Sequence, residues 1–203
     1  DLYNSLLKAE YSNGSWERLH DDINIVLAQK DRPVLDKCVA YTTLITTLSS
    51  HQHKHMDAVA LSVDVLSQLG VTFRPNLGKL AVVGSLIKTK RLLKKRPLEY
   101  LLGQVEMKDK NKIVALDIVT TMTSSLYASN PDLLICTAMK TVRWSLKYGI
   151  SKHSSRCIAI YGMVDMALGN IEAGTKACKI AVQLAEKQRL MASEFAPISA
   201  VYG

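Results

Sequence analysis

Aromatic residues make up only 6% of the chain, and five prolines and ten glycines are spread through 203 residues. That scarcity argues against a β-sandwich and favours packed helices. Long apolar runs are also missing. The longest, "KIVALDIV" and "KLAVVGSLI", are too short to span a bilayer and are flanked by charge. The N-terminal "DLYNSLLKAE" lacks the basic region and apolar block of a secretory signal. The four cysteines, Cys38, Cys136, Cys157 and Cys178, form no Cys-x-x-Cys pair. Each sits among apolar neighbours, so they read as buried reduced thiols rather than redox centres or metal ligands. A cytoplasmic compartment is the matching expectation.

Nucleotide chemistry has no visible motif either. There is no Gly-x4-Gly-Lys-Ser/Thr phosphate loop, no His-Arg-Asp or Asp-Phe-Gly kinase signature, and no histidine-kinase nucleotide box. What is present is apolar content of 48%, enough at this length to sustain a core without disulfide or metal. The fold class expected is therefore all-α, with no cofactor.

Apolar residues recur at three-and-four spacing along most of the chain. Leu35, Cys38, Thr42, Ile45 and Ser49 form the weakest such stripe. Ala58, Leu61, Val65 and Leu69 form another, as do Leu80, Val83 and Ile87. Further on come Ile118, Met122 and Leu126, then Leu134, Ala138, Val142 and Leu146, and finally Ala173, Ala177, Ile180 and Leu184. No segment alternates with the period of a strand. Asn130-Pro131 supplies an N-cap and first-turn proline, while Gly70 and Gly149 suit the left-handed position past a helix end. "SNGS" at residues 12–15 and Gly169-Asn170 read as tight turns. About nine helices are predicted, near residues 2–12, 15–28, 33–50, 55–69, 77–94, 109–128, 131–148, 151–168 and 171–190. A short tenth is placed on "PLEYLLG".

The spacing of these helices resembles a tetratricopeptide-type repeat. With Ile171 opening a second helix, Gly162 falls at the small eighth position, Gly174 at the twentieth and Ala181 at the twenty-seventh. Earlier pairs match less well: after Trp16 the two later positions hold Leu19 and Val26, and after His55 they hold Ala58 and Val65. Trp16 to His55 spans 39 residues, His55 to Asp132 spans 77, and Asp132 to Ile171 spans 39. A period near 39 signals stacked helix pairs, longer than the usual tetratricopeptide length of about 34. The expected architecture is a right-handed α-solenoid of antiparallel helix pairs, one helical-repeat domain over residues 1–203. The middle unit is irregular, with "VTFRPNLG" inserted. In a solenoid each pair commits its residues to its neighbours and leaves function to the exposed surface.

The wording also resembles a known family. "LLGQVEMKDKNKIVALDIVTTMTSSLYASNPDLLICTAMKTVRWSLKYG" and "IYGMVDMALGNIEAGTKACKIAVQLAEK" resemble the helical region of very large signalling proteins. Those proteins join a serine/threonine kinase-like domain and an AAA/STAND-type ATPase to a GAF domain and often a histidine kinase. "HMDAVALSVDVLSQLGVTF" looks like their preceding repeat, so the likeness covers most of residues 55–190. It implies a non-catalytic connector between ATPase and sensor domains, with protein or flanking domains as partners. The C-terminal "SEFAPISAVYG" reads as the start of a further helix, so a fragment of a longer protein is expected. A free-standing peptide-binding adaptor is the second reading, and a hidden helical-bundle enzyme a third.

The candidate sites are few. A net charge of +8 is densest in "KTKRLLKKR", and Lys88, Lys90, Arg91, Lys94, Lys95 and Arg96 form a contact patch. No aromatic residue interleaves it, so a solvated helix end that steers an acidic partner is preferred to nucleic acid. "HQHKHM" offers His51, His53 and His55 as a weak metal set, lacking a further ligand at matching spacing except Asp57. His20-Asp21-Asp22 and His153-Ser154-Ser155 place catalytic residue types side by side without the geometry of a dyad or triad. Trp16, Trp144, Tyr148 and Tyr161 read as packing residues before ligand-stacking ones.

Overall fold

A computed structural model describes residues 2–73 and 78–187. The end of the last predicted helix, "SEFAPISAVYG" and the "RPNL" of the inserted loop lie outside them. The described chain is all-α, with one isolated parallel bridge between Glu106 and Ile150. Among the described residues no helix is long and apolar enough to cross a membrane. Helices α2, α4, α8 and α10 begin at Trp16, His55, Pro131 and Ile171, within one residue of the starting points that the 39- and 77-residue spacings assign.

Contacts divide the chain into two compact units. The first holds residues 1–75 with 117–130. Its helices are α1 (Leu2–Asn13), α2 (Trp16–Ala28), α3 (Cys38–Thr46) and α4 (His55–Gln68), joined by the second part of α6 (Lys110–Thr121) and by α7 (Thr123–Ser129). Leu7, Leu19, Ile23, Val26 and Ala40 form its buried centre, with Tyr11, Trp16, Leu27 and Leu44 against them. Lys37 is buried and its Nζ donates to Leu27 O at 3.2 Å, answering a carbonyl that the end of α2 leaves open.

Two predicted helices are interrupted, for a shared reason. The span 33–50 resolves into a 3-10 turn (Val34–Lys37), α3 and a π turn (Thr47–His51). Thr46 and Thr47 hydroxyls donate to Thr42 O and Thr43 O in the last turns of α3. The span 109–128 breaks at Met122, where Thr120 and Thr121 hydroxyls both donate to Asp117 O and Thr123 to Val119 O. Hydroxyls that bond back to helix carbonyls compete with the backbone ladder and bend it.

The second unit holds residues 76–116 with 131–203. It contains α5 (Lys79–Lys95), a 3-10 turn over Leu98–Gly103, the first part of α6, α8 (Pro131–Tyr148), α9 (Ser154–Ala167) and α10 (Ile171–Lys187). Helix α8 packs on α5 and α9, and α9 on α10. Met107, Leu116 and Cys157 form a buried cluster with Ile113, Trp144 and Tyr148 around it. Met107 N donates to Ile150 O at 2.7 Å and Ile150 N to Val105 O at 3.0 Å. The chain passes so closely there that a Cβ on Gly149, at φ +97, would lie 2.4 Å from Val105 O.

The stripe Leu134, Ala138, Val142 and Leu146 is buried, as are Ile118, Met122 and Leu126. On α10, Ala177, Ile180 and Leu184 are buried but Ala173 is exposed, and Gly174 takes the inward place. The larger correction concerns α5. Its predicted inward stripe faces out, with Leu80 89%, Val83 49% and Ile87 46% exposed. The inward residues are Val82 and Thr89. Hydrogen bonding explains the reversal. Arg143 Nη1 of α8 donates to Ser85 O and Ser85 Oγ at 3.2 Å and to Thr89 Oγ1. A half-buried guanidinium needs acceptors, and the Ser85–Thr89 ridge of α5 provides them where Leu80 and Ile87 would not.

Candidate functional surface

The charged helix pair α5 and α8 is the chemically most distinctive part of the second unit. Helix α5 carries six lysines and arginines and no acidic residue, and α8 carries Lys140, Arg143 and Lys147 with Asp132 alone to oppose them. Lys88, Lys90, Arg91, Lys94, Lys95 and Arg96 are all exposed. Arg96 is partly held: its Nη1 donates to Leu146 O at 3.4 Å and its guanidinium lies 5.6 Å from the Tyr100 ring centre. Burial keeps Arg143 below the usual guanidinium range. Burial, then Arg143 and Lys88, lower Lys140, whose ammonium also sits 5.4 Å from the Trp144 ring centre. An ammonium disfavoured by burial and by neighbouring cations is favoured by an anionic neighbour.

The glycine notch lies between α9 and α10. A Cβ on Gly162 would stand 2.7 Å from Cys178 Sγ and 2.8 Å from Gly174 O. One on Gly174 would stand 2.6 Å from Gly162 O and 2.9 Å from Met166 N. The two backbones therefore touch, and Ala181 is fully buried farther along α10. The turn between the helices is pinned by Asp165, which is buried. Tyr161 Oη donates to its Oδ2 at 3.2 Å and Asn170 Nδ2 to its Oδ1 at 2.9 Å. Burial, then the Asp165 charge, push the Tyr161 phenol well above its ordinary range, so it acts as a fixed donor.

The three histidines of "HQHKHM" go to different partners. His51 stacks on Trp16 with ring centres 4.0 Å apart, and Trp16 meets Tyr11 edge to face. His55 Nδ1 is 3.4 Å from Ser125 Oγ, a hydroxyl that donates to Ser49 Oγ at 2.8 Å. His53 takes a positive φ of 54 in the loop, its ring 6.4 Å from that of His55. Among the described residues no three His, Cys, Asp or Glu side chains are grouped to hold a metal ion.

The remaining candidates are occupied locally. His20 Nδ1 meets Asn24 Nδ2 at 3.0 Å on its own helix. Ser154 Oγ accepts from Ser151 N at 2.9 Å and lies 3.3 Å from Ser145 Oγ, a buried arrangement at the start of α9. Trp144 and Tyr148 pack on the Met107 cluster. All four cysteines are buried, and burial raises the thiols of Cys38, to about 11, Cys136 and Cys178. The sequence reading missed Glu10 and Arg143. Glu10 Oε2 is closed off without a hydrogen-bond donor, and burial, then Asp22, raise its carboxyl. A cleft of about 400 Å³ in the first unit is lined by Thr42, Thr43, Thr46 and Thr121 with Lys8 and Asp117. The hydroxyls of Thr42, Thr46 and Thr121 donate to carbonyls of their own helices, so their lone pairs are what they offer the cleft.

No family model matches the chain, and no curated protein or solved structure matches it.

Proposed function

We propose that the chain is a non-catalytic helical-repeat connector. It positions flanking domains or a partner protein within a multidomain ATPase and kinase signalling protein, in a cytoplasmic setting. The carrying observation is the helix spacing: α2, α4, α8 and α10 start at Trp16, His55, Pro131 and Ile171. Three of these second helices bury both small-position residues, namely Leu19 and Val26, Ala58 and Val65, and Gly174 and Ala181. A right-handed tetratricopeptide-like solenoid accounts for that register, with each compact unit a block of helix pairs. The resemblance of residues 55–190 to the connector of such signalling proteins supplies the domain context.

In this reading any ATPase or kinase activity belongs to other domains. The purified chain is expected to hydrolyse no ATP and to transfer no phosphate above a blank. Turnover that vanished on replacing His51, His53 and His55 would replace the connector with a metal-dependent enzyme. The direct test of the connector is crosslinking with mass spectrometry on the full-length protein. Crosslinks from this segment to an ATPase domain on one side and a sensor or kinase domain on the other support it. A chain that crosslinks only to a separate polypeptide would instead be a peptide-binding adaptor.

A further inference from the structure

We infer that the outward face of α5 is a docking surface for an amphipathic acidic helix, an assignment that rests on the contact-mediating reading above and names its partner chemistry. At 100° per residue Leu80, Val83, Gly84, Ile87, Arg91 and Lys94 fall on one stripe of the helix. All six are exposed. The first four make an apolar half and the last two a cationic half. Gly84 has nothing within 4 Å of the place a Cβ would take, so the middle of the stripe is a shallow saddle that a second helix backbone can approach. The opposite face is already committed through Thr89, Ser85 and Arg143, so α5 cannot roll to bury the stripe without breaking those hydrogen bonds.

Charge decides the occupant. A partner lying antiparallel to α5 sets its first turns against Arg91 and Lys94 and its later turns against Leu80, Val83 and Ile87. Acidic residues in those first turns complement both the cations and the partner's own helix dipole. Its apolar residues then follow at three-and-four spacing. A second copy of α5 fits badly in either direction. Parallel copies bring the cations together, and antiparallel copies put Arg91 and Lys94 against Lys79 at the positive end of the other helix.

The test uses the whole chain and a fluorescein-labelled 18-residue synthetic helix with Glu in its first two turns and Leu at the later apolar positions. A second peptide carries Lys for Glu. Anisotropy is expected to show the acidic peptide binding about tenfold or more tighter than its Lys counterpart. Leu80→Ser with Ile87→Ser should cost about tenfold or more, with helical circular dichroism unchanged because both side chains are exposed. Arg91→Glu with Lys94→Glu should reverse the preference and favour the Lys peptide. Equal affinity for both peptides, or indifference to Leu80 and Ile87, would overturn the assignment. So would a sedimenting dimer that Leu80→Ser and Ile87→Ser dissociate, since the occupant would then be a second copy. Duplex DNA binding that needs Arg91 and Lys94 but ignores Leu80 and Ile87 would assign the surface to nucleic acid instead. Failure of the peptides alongside crosslinks mapped to other helices removes only this assignment. Peptide binding without flanking-domain crosslinks removes only the connector.

Discussion

Three single residues carry sharp consequences. Gly174 faces Met166 Cγ together with the backbone atoms Gly162 O and Met166 N, and because the two backbone atoms cannot swing aside, even a methyl group must separate α9 from α10. Gly174→Ala is expected to cost about 1–3 kcal/mol net, although alanine alone would favour a helix by up to about 1 kcal/mol. Gly84→Ala, with open space around it, should instead stabilise by up to about 1 kcal/mol. Urea midpoints moving the same way in both variants would refute the close crossing. Glu10 gives a pH signature. Its folded carboxyl titrates above the ordinary range because burial and then Asp22 disfavour the charge. The folded state therefore holds the proton more tightly than the unfolded one. Its stabilising contribution is complete below the ordinary carboxylate range and disappears as pH rises through the raised folded value. Glu10→Gln should flatten that decline in a pH series of denaturation midpoints; a series parallel to the parent's would exclude Glu10 as its source.

At the scale of elements, Arg143 makes the densest set of hydrogen bonds between α8 and α5. Arg143→Ala removes three hydrogen bonds and leaves the Ser85–Thr89 ridge of α5 facing the truncated side chain. Charged hydrogen bonds of this kind contribute about 1.5–3 kcal/mol, so the variant should lose about that much. Hydrogen exchange should rise first in α5, with the α9–α10 pair protected as before. Uniform acceleration across the second unit would show that Arg143 stabilises more than this contact. The outward turn of Leu80, Val83 and Ile87 belongs to the same scale: apolar period located the helix correctly and chose its face wrongly. Hydrophobic spacing reports which residues share a side, while the identity of the buried side also depends on what a neighbouring helix needs bonded. Likewise the bends at Thr47 and Met122 arise where threonine hydroxyls take carbonyls from the ladder.

Across the whole molecule, burial of every cysteine makes thiol reactivity a measure of global opening. Native protein is expected to react slowly with a disulfide reagent at neutral pH, and all four thiols promptly in denaturant. Raised thiol values at Cys38, Cys136 and Cys178 point the same way, since less thiolate is present to attack. A fast native thiol would locate a local opening and identify the unit that frays.

The sequence by itself determined the all-α class, the turn glycines and the starts of α2, α4, α8 and α10. These depend on local terms: apolar period, caps, and the left-handed backbone at Gly14, Gly70, Gly149 and Gly169. It also pointed to Gly162 and Gly174 through their register, although a small residue alone says nothing about distance. Tertiary structure alone decided that His51, His53 and His55 take different partners, that Glu10 Oε2 is closed off with the Asp22 charge near it, and that α5 turns its polar ridge inward to Arg143. Each is a pairing between residues far apart in sequence, set by which donors and acceptors burial brings together, and no single helix encodes that choice.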